Sequence, residues 1–208
     1  MEKGLFITIE GPDGSGKSTQ VENIVKYFED KGRTVVRTRE PGGTPISEKL
    51  REILLDPENS EMSAVTEMMI YAAARAQHVS EKIRPAIEHG EIVVCDRFMD
   101  SSIAYQGYGR GLGSVVRDVN MIAVEGLLPD ITFFMDIDPA VGRERIARNR
   151  GVEDRLEREA MDFHYRLYDG FKAICAAEPE RVVRIDADRS VEEIRNDIYA
   201  KLDELIEK

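Results

Sequence analysis

The chain has 208 residues, 40 acidic against 29 basic, for a net charge of −11. That length suffices for one domain over residues 1–208 with a sizeable core and a small mobile insertion. The acidic balance excludes broad binding along a nucleic-acid backbone, which needs excess Lys and Arg on one face, but allows a small anion in a local basic pocket. The cysteines, Cys95 and Cys175, are far apart and match no metal or redox spacing. No run reaches the roughly eighteen apolar residues of a membrane span, and the first apolar stretch is too short for a signal peptide. The expectation is a cytoplasmic protein with reduced thiols and no membrane partner.

In chain order, LFITI predicts a strand, followed by a helix over 17–31. TVVRT predicts a second strand, with helices over 46–55 and 61–89 after it. EIVVC gives a third, then a long loop and a helix over 114–126. ITFFMDI gives a fourth, with helices over 139–149 and 156–177. RVVRI is the fifth, and a last helix runs from Ser190, whose spacing to Glu193 is a capping box. Short β-branched runs alternating with longer helical periods define an α/β fold, a five-stranded parallel sheet flanked by helices. Right-handed crossovers then gather the loops after the strands along one sheet edge, where such folds bind ligands.

The first of those loops is GPDGSGKST: Gly11, Pro12, Asp13, Gly14, Ser15, Gly16, Lys17, Ser18 and Thr19. A glycine, four residues, then Gly-Lys-Ser between a strand and a helix is the phosphate-binding P-loop. Its glycines let successive N–H groups turn inward and the helix start adds a positive dipole end. Lys17 is placed to reach the β and γ phosphates, and Ser18 to ligate Mg²⁺. The stretch reads as a cradle for a nucleoside triphosphate.

What receives the phosphoryl group must be read from the other loops. In TREPGGTPISEKLR, Arg39 is expected to face the same edge beside a glycine turn, against the equal alternative of a solvated charge before a helix-starting turn. In CDRFMDSSIAYQGYGRG, Asp96 and Arg97 end the third strand, one to hold a Mg²⁺ shell through water, the other to grip an anion. Tyr71 and Arg75 lie four apart with only alanines between them, leaving room for a flat ring. A buried aromatic with a snorkelling arginine is the competing interpretation. ERIARNRGVEDRLERE sets Arg143, Arg145, Arg148, Arg150 and Arg155 around a glycine break. It reads as a mobile basic lid over about 143–156, against the alternative of a solvated charged face.

Taken together, FITIEGPDGSGKSTQ, TREPGGT, YAAARAQ, DRF followed by SSIAYQG, and RNRGVEDRLE resemble the successive signatures of the thymidylate kinase family. The resemblance covers nearly the whole chain. It implies a P-loop nucleoside monophosphate kinase fold, ATP-dependent phosphorylation of dTMP to dTDP with Mg²⁺, and a homodimer. Residue by residue it implies that Asp13 lies near the sugar 3′-hydroxyl and that Arg39 and Arg97 hold the acceptor phosphate. Tyr71 then stacks on the base, Arg75 meets a base oxygen, Ser102 is a polar base contact, Tyr105 disfavours a ribose 2′-hydroxyl, and Gln106 lies close by. Some family members carry an arginine after the P-loop carboxylate; this chain has Gly14 and resembles the branch that draws its catalytic cation from the lid, with Arg150 foremost and Arg148 and Arg155 as alternates. Phe98 stands where tyrosine or histidine is commoner. The alternatives are a kinase for another pyrimidine nucleotide or a deoxynucleoside, and a nucleotide-binding regulatory module without turnover.

Overall fold

Strand β1 (Leu5–Glu10) is buried at all six positions, as an apolar run is when both faces of a parallel sheet are covered. The computed structural model describes residues 3–147 and 155–207. Its other strands are β2 (Val35–Arg39), β3 (Ile92–Asp96), β4 (Ile131–Asp136) and β5 (Val182–Asp186). All pair in parallel, in the order β2-β3-β1-β4-β5, with β1 central. Ile7 lies beside Val94 and Ile131, so the alternation of side chains is in phase across the sheet and divides the core in two.

One face packs Ile7, Ile9, Val94 and Phe133 against α1 (Lys17–Asp30) and α9 (Val191–Ile206) through Val21, Ile24, Phe28, Ile194, Ile198 and Leu202. These helical residues recur every three to four positions, the stripe an amphipathic helix buries. The other face packs Phe6, Val93 and Phe134 against α3 (Ala64–His78), α4 (Arg84–Glu88) and α8 (Met161–Ala177). The remaining helices are α2 (Pro45–Leu55), α5 (Met99–Ser102), α6 (Val115–Ala123) and α7 (Pro139–Ala147). The capping box at Ser190 is formed in both directions.

The structure departs from the sequence expectation in three places. The helix expected over 61–89 starts at Ala64, capped by Ser63, and widens into a π-type stretch at Val79–Ile83 before α4. Pro85, lacking an N–H, cannot continue the α ladder there. The long loop after β3 is instead helical, α5 leading into a second π-type stretch, Ile103–Gly109. Its glycines hide it from a propensity reading, yet they permit packing: a Cβ on Gly109 would come within 2.6 Å of the Phe163 ring. The helix expected from 156 begins only at Met161, after a turn.

Candidate active site

Every strand ends on a charged residue, Glu10, Arg39, Asp96, Asp136 or Asp186, so polar chemistry is concentrated at one sheet edge. The P-loop leaves that edge from β1. Gly16 caps α1 at φ 85°, a left-handed conformation that glycine adopts without strain. Lys17 Nζ donates to the carbonyls of Gly11 at 3.0 Å and Pro12 at 2.7 Å and lies 3.7 Å from Asp13. Burial, followed by the nearby Arg97 guanidinium, pushes its ammonium down to about 8 against the pull of Asp13. Ser18 Oγ donates to Asp96 Oδ2 at 3.2 Å, bringing the two expected metal-site residues together. A hydroxyl beside a carboxylate is the hard oxygen set that suits Mg²⁺.

Arg97 occupies the centre. Its φ of 70° is unusual for a side chain of this size. The guanidinium donates to Gly11 O at 3.0 Å, Ser101 Oγ at 3.1 Å and Asp13 Oδ1 at 2.5 Å. Tyr105 donates to Asp13 Oδ2 at 3.2 Å, and Arg97 lies over the Tyr105 ring. Burial alone would raise the Asp13 pKa, but Arg97 and Lys17 together hold it well below the usual carboxylate range. Beneath this cluster sits Glu10, which the sequence reading missed. It accepts from the Phe98 N–H at 2.7 Å, the Ser101 N–H at 3.1 Å and Ser101 Oγ at 2.5 Å. Burial and then the charge of Asp100 push its carboxyl up to about 7.

Two facing rows form the other half of the site. Glu67, Tyr71 and Arg75 are spaced by four on α3 and are all buried. Ser102 and Gln106, also four apart, face them. Arg75 is only 2% exposed and does not snorkel. Its Nε donates to Glu40 at 2.7 Å, one terminal nitrogen donates to Ser102 Oγ at 2.9 Å and to Asn120, and the other donates to Phe98 O at 3.0 Å. Four of the five guanidinium N–H groups are thus committed among the described residues. Glu40 also accepts from His78 Nδ1 at 3.0 Å, and Thr38 Oγ1 lies 2.7 Å from Nε2 of the same ring. Gln106 Nε2 donates to Glu67 Oε1 at 2.9 Å, while its own Oε1 is buried without a partner among the described residues.

P-loop and rows open onto one cleft of about 960 Å³. Its walls include Asp13 to Thr19, Arg39, Tyr71, Arg75, Asp96, Arg97, Ser102, Tyr105 and Gln106. Arg39 donates to Pro41 O at 2.9 Å and pairs with Glu48 at 3.1 Å. Arg51 and Arg189, unassigned from sequence, also reach the wall, as does Arg145 of the basic segment. The basic segment is divided. Arg145 is bonded to Ala187 O at 3.0 Å and Asp188 at 2.8 Å. Arg155 is seated on Leu54 O at 2.9 Å and Glu67 at 2.7 Å. Arg148 and Arg150 fall within residues 148–154, outside the described residues.

A parallel sheet with β1 between β3 and β4, a P-loop at its edge and an arginine-lined cleft beside it define a P-loop phosphotransferase of the nucleoside monophosphate kinase class. The model of the thymidylate kinase family matches residues 9–198. A thymidylate kinase of Exiguobacterium sp. is 50% identical over 206 residues, 99% of this chain and 95% of that one. A thymidylate kinase of Halothermothrix orenii is 52% identical over 204 residues, 96% of this chain and 97% of that one. The crystal structure of thymidylate kinase from Ehrlichia chaffeensis superposes with a TM-score of 0.80 at 32% identity, covering 96% of this chain and 99% of that one. The chain belongs to the thymidylate kinase family.

Proposed function

We propose that this protein transfers the γ-phosphoryl group of ATP to the 5′-phosphate of dTMP, giving dTDP and ADP, and that it works as a homodimer in the cytoplasm. The observation that carries the reaction is the continuity of the cleft from the P-loop to the face of α3 bearing Tyr71 and Arg75. The P-loop amides and Lys17 hold the β and γ phosphates. Arg39 and Arg97 hold the acceptor phosphate, whose attacking oxygen is already anionic, so positioning and charge neutralisation suffice without a strong general base. Asp13 orients Arg97 and lies near the sugar. Tyr71 offers its ring to the base, and Arg75 and Ser102 offer polar contacts to its edge. Tyr105 is placed to crowd a 2′-hydroxyl. Ser18 and Asp96 would hold Mg²⁺, which neutralises charge on the β and γ oxygens. A lid arginine, Arg150 foremost, stabilises charge on the phosphoryl in transit, and the lid spans about 143–156.

A coupled ADP-release assay with dTMP, dUMP, dCMP and thymidine tests the reading. Turnover with dTMP well above the others is expected. Preference for dCMP or thymidine would favour a different pyrimidine kinase. Nucleotide binding without turnover on any acceptor would favour a regulatory module.

A further inference from the structure

Glu67 has no solvent exposure and no place in phosphoryl transfer, yet it is one of the most heavily bonded carboxylates in the protein. Its Oε1 accepts from Gln106 Nε2 at 2.9 Å and Arg110 Nε at 3.2 Å. Its Oε2 accepts from Arg110 at 3.1 Å and Arg155 at 2.7 Å. Burial opposes its charge, but Arg110, Gln106 and Arg155 outweigh that and hold its pKa below the ordinary value. An ionised carboxylate only accepts hydrogen bonds. Gln106 must therefore turn its NH₂ toward Glu67, because the flipped amide would set two acceptors against each other in a buried site.

We infer that Glu67 is a specificity-determining positioning residue: by fixing the Gln106 amide it makes the cleft present an acceptor to one edge of the incoming base. The inference rests on the dTMP reading. Gln106 lines the cleft beside Arg75, and with its amide locked it is the buried, unpartnered Oε1 that is left to meet a base entering there. One remaining guanidinium N–H and one carbonyl oxygen thus belong to two residues that line the same cleft. A thymine edge, with O4 accepting and N3–H donating, satisfies both. A cytosine edge, with an amino donor and N3 accepting, opposes both. Leaving buried polar groups unpaired is what makes such a site discriminate strongly.

The test compares kcat/KM for dTMP and dCMP in wild type, E67Q, E67D, Q106M and the E67Q/Q106M double variant, with KM for ATP alongside. An amide at position 67 offers both donor and acceptor, so Gln106 is free to turn either way. E67Q should lower the dTMP:dCMP ratio by about tenfold or more while KM for ATP stays near wild type. Q106M should lower the ratio by itself, and E67Q should move it no further in that background. If E67Q fails to fold, E67D keeps the charge but withdraws the carboxylate by one methylene, and the ratio should still fall. Parallel losses for both acceptors, or a ratio that falls further when E67Q is added to Q106M, would reduce Glu67 to a structural residue and overturn the inference. A wild type that prefers dTMP with a ratio insensitive to E67Q or E67D overturns this inference alone. A wild type that ignores dTMP overturns the functional reading with it.

Discussion

Asp13 and Arg97 meet at 2.5 Å across the base of the cleft, so the loop after β1 and the turn after β3 are joined as one electrostatic unit. Arg97 is bonded to the P-loop twice, through Asp13 and through the Gly11 carbonyl. Its substitution by alanine should therefore affect both halves of the reaction. We expect Arg97→Ala to raise KM for dTMP and to lower kcat, with kcat/KM falling by at least about a hundredfold. Asp13→Asn should cost less alone and add little to Arg97→Ala, because the pair acts together. Steady-state kinetics on the two single variants and the double variant measure this, and independent, additive losses would separate the two roles.

Tyr71 has a different signature. If its ring stacks on the base, Tyr71→Ala should weaken dTMP binding by about 1–3 kcal/mol, in line with aromatic stacking on nucleobases, with a smaller effect on ATP. Calorimetric titration with each nucleotide distinguishes this from core packing, which would weaken both equally.

The arginines of the basic segment should divide by their surroundings. Arg150→Ala should lower kcat by roughly 10³-fold with KM for dTMP little changed, as expected for a cation that acts mostly in the transition state, and Arg148→Ala is the next most sensitive. Arg155 is seated on the buried Glu67, so Arg155→Ala should instead lower the melting temperature by several degrees through an underpaired buried carboxylate. Kinetics and thermal unfolding on all three variants test the division; unchanged kcat in every one would remove the lid from catalysis.

Glu10 gives the protein a pH dependence of definite sign. Its folded-state pKa is raised to about 7 by burial and by Asp100, above the ordinary 4.5. Between those values the native state binds the extra proton, so the contribution of Glu10 is full below about 4.5 and is lost as pH rises through 7. Glu10→Gln cannot lose a proton. Its stability relative to wild type should therefore improve steadily from pH 4.5 to pH 7 and level off above. Urea unfolding at several pH values reads this out, and a constant difference across the range would show that Glu10 is ionised throughout.

What the sequence made legible was local. The P-loop is read from glycine spacing within nine residues, and Tyr71 and Arg75 from their separation by one helical turn. The carboxylates Glu10, Glu40 and Glu67 were not legible, since an isolated Glu reads as a solvated charge until its partners are known. Those partners lie far along the chain: Ser101 for Glu10, Arg75 for Glu40, Arg110 and Arg155 for Glu67. One signal was available. Glu67 continues the four-residue spacing of Tyr71 and Arg75, and therefore belonged to the same buried face. The helix after β3 was hidden for the opposite reason, because its glycines serve packing against Phe163 rather than local propensity.

The P-loop and α7 approach each other backbone to backbone: a Cβ on Gly14 would collide with the Gly142 carbonyl oxygen, and one on Gly142 would lie 2.5 Å from the Asp13 carbonyl oxygen. This contact closes position 14 to any side chain. A side chain gained at position 14 would strike α7 at its first carbon, and its backbone at φ 77° would be strained as well. Two apposed glycines thus tie the P-loop to α7, and an engineer seeking to place a side chain at position 14 must redesign residues 139–147 in the same step.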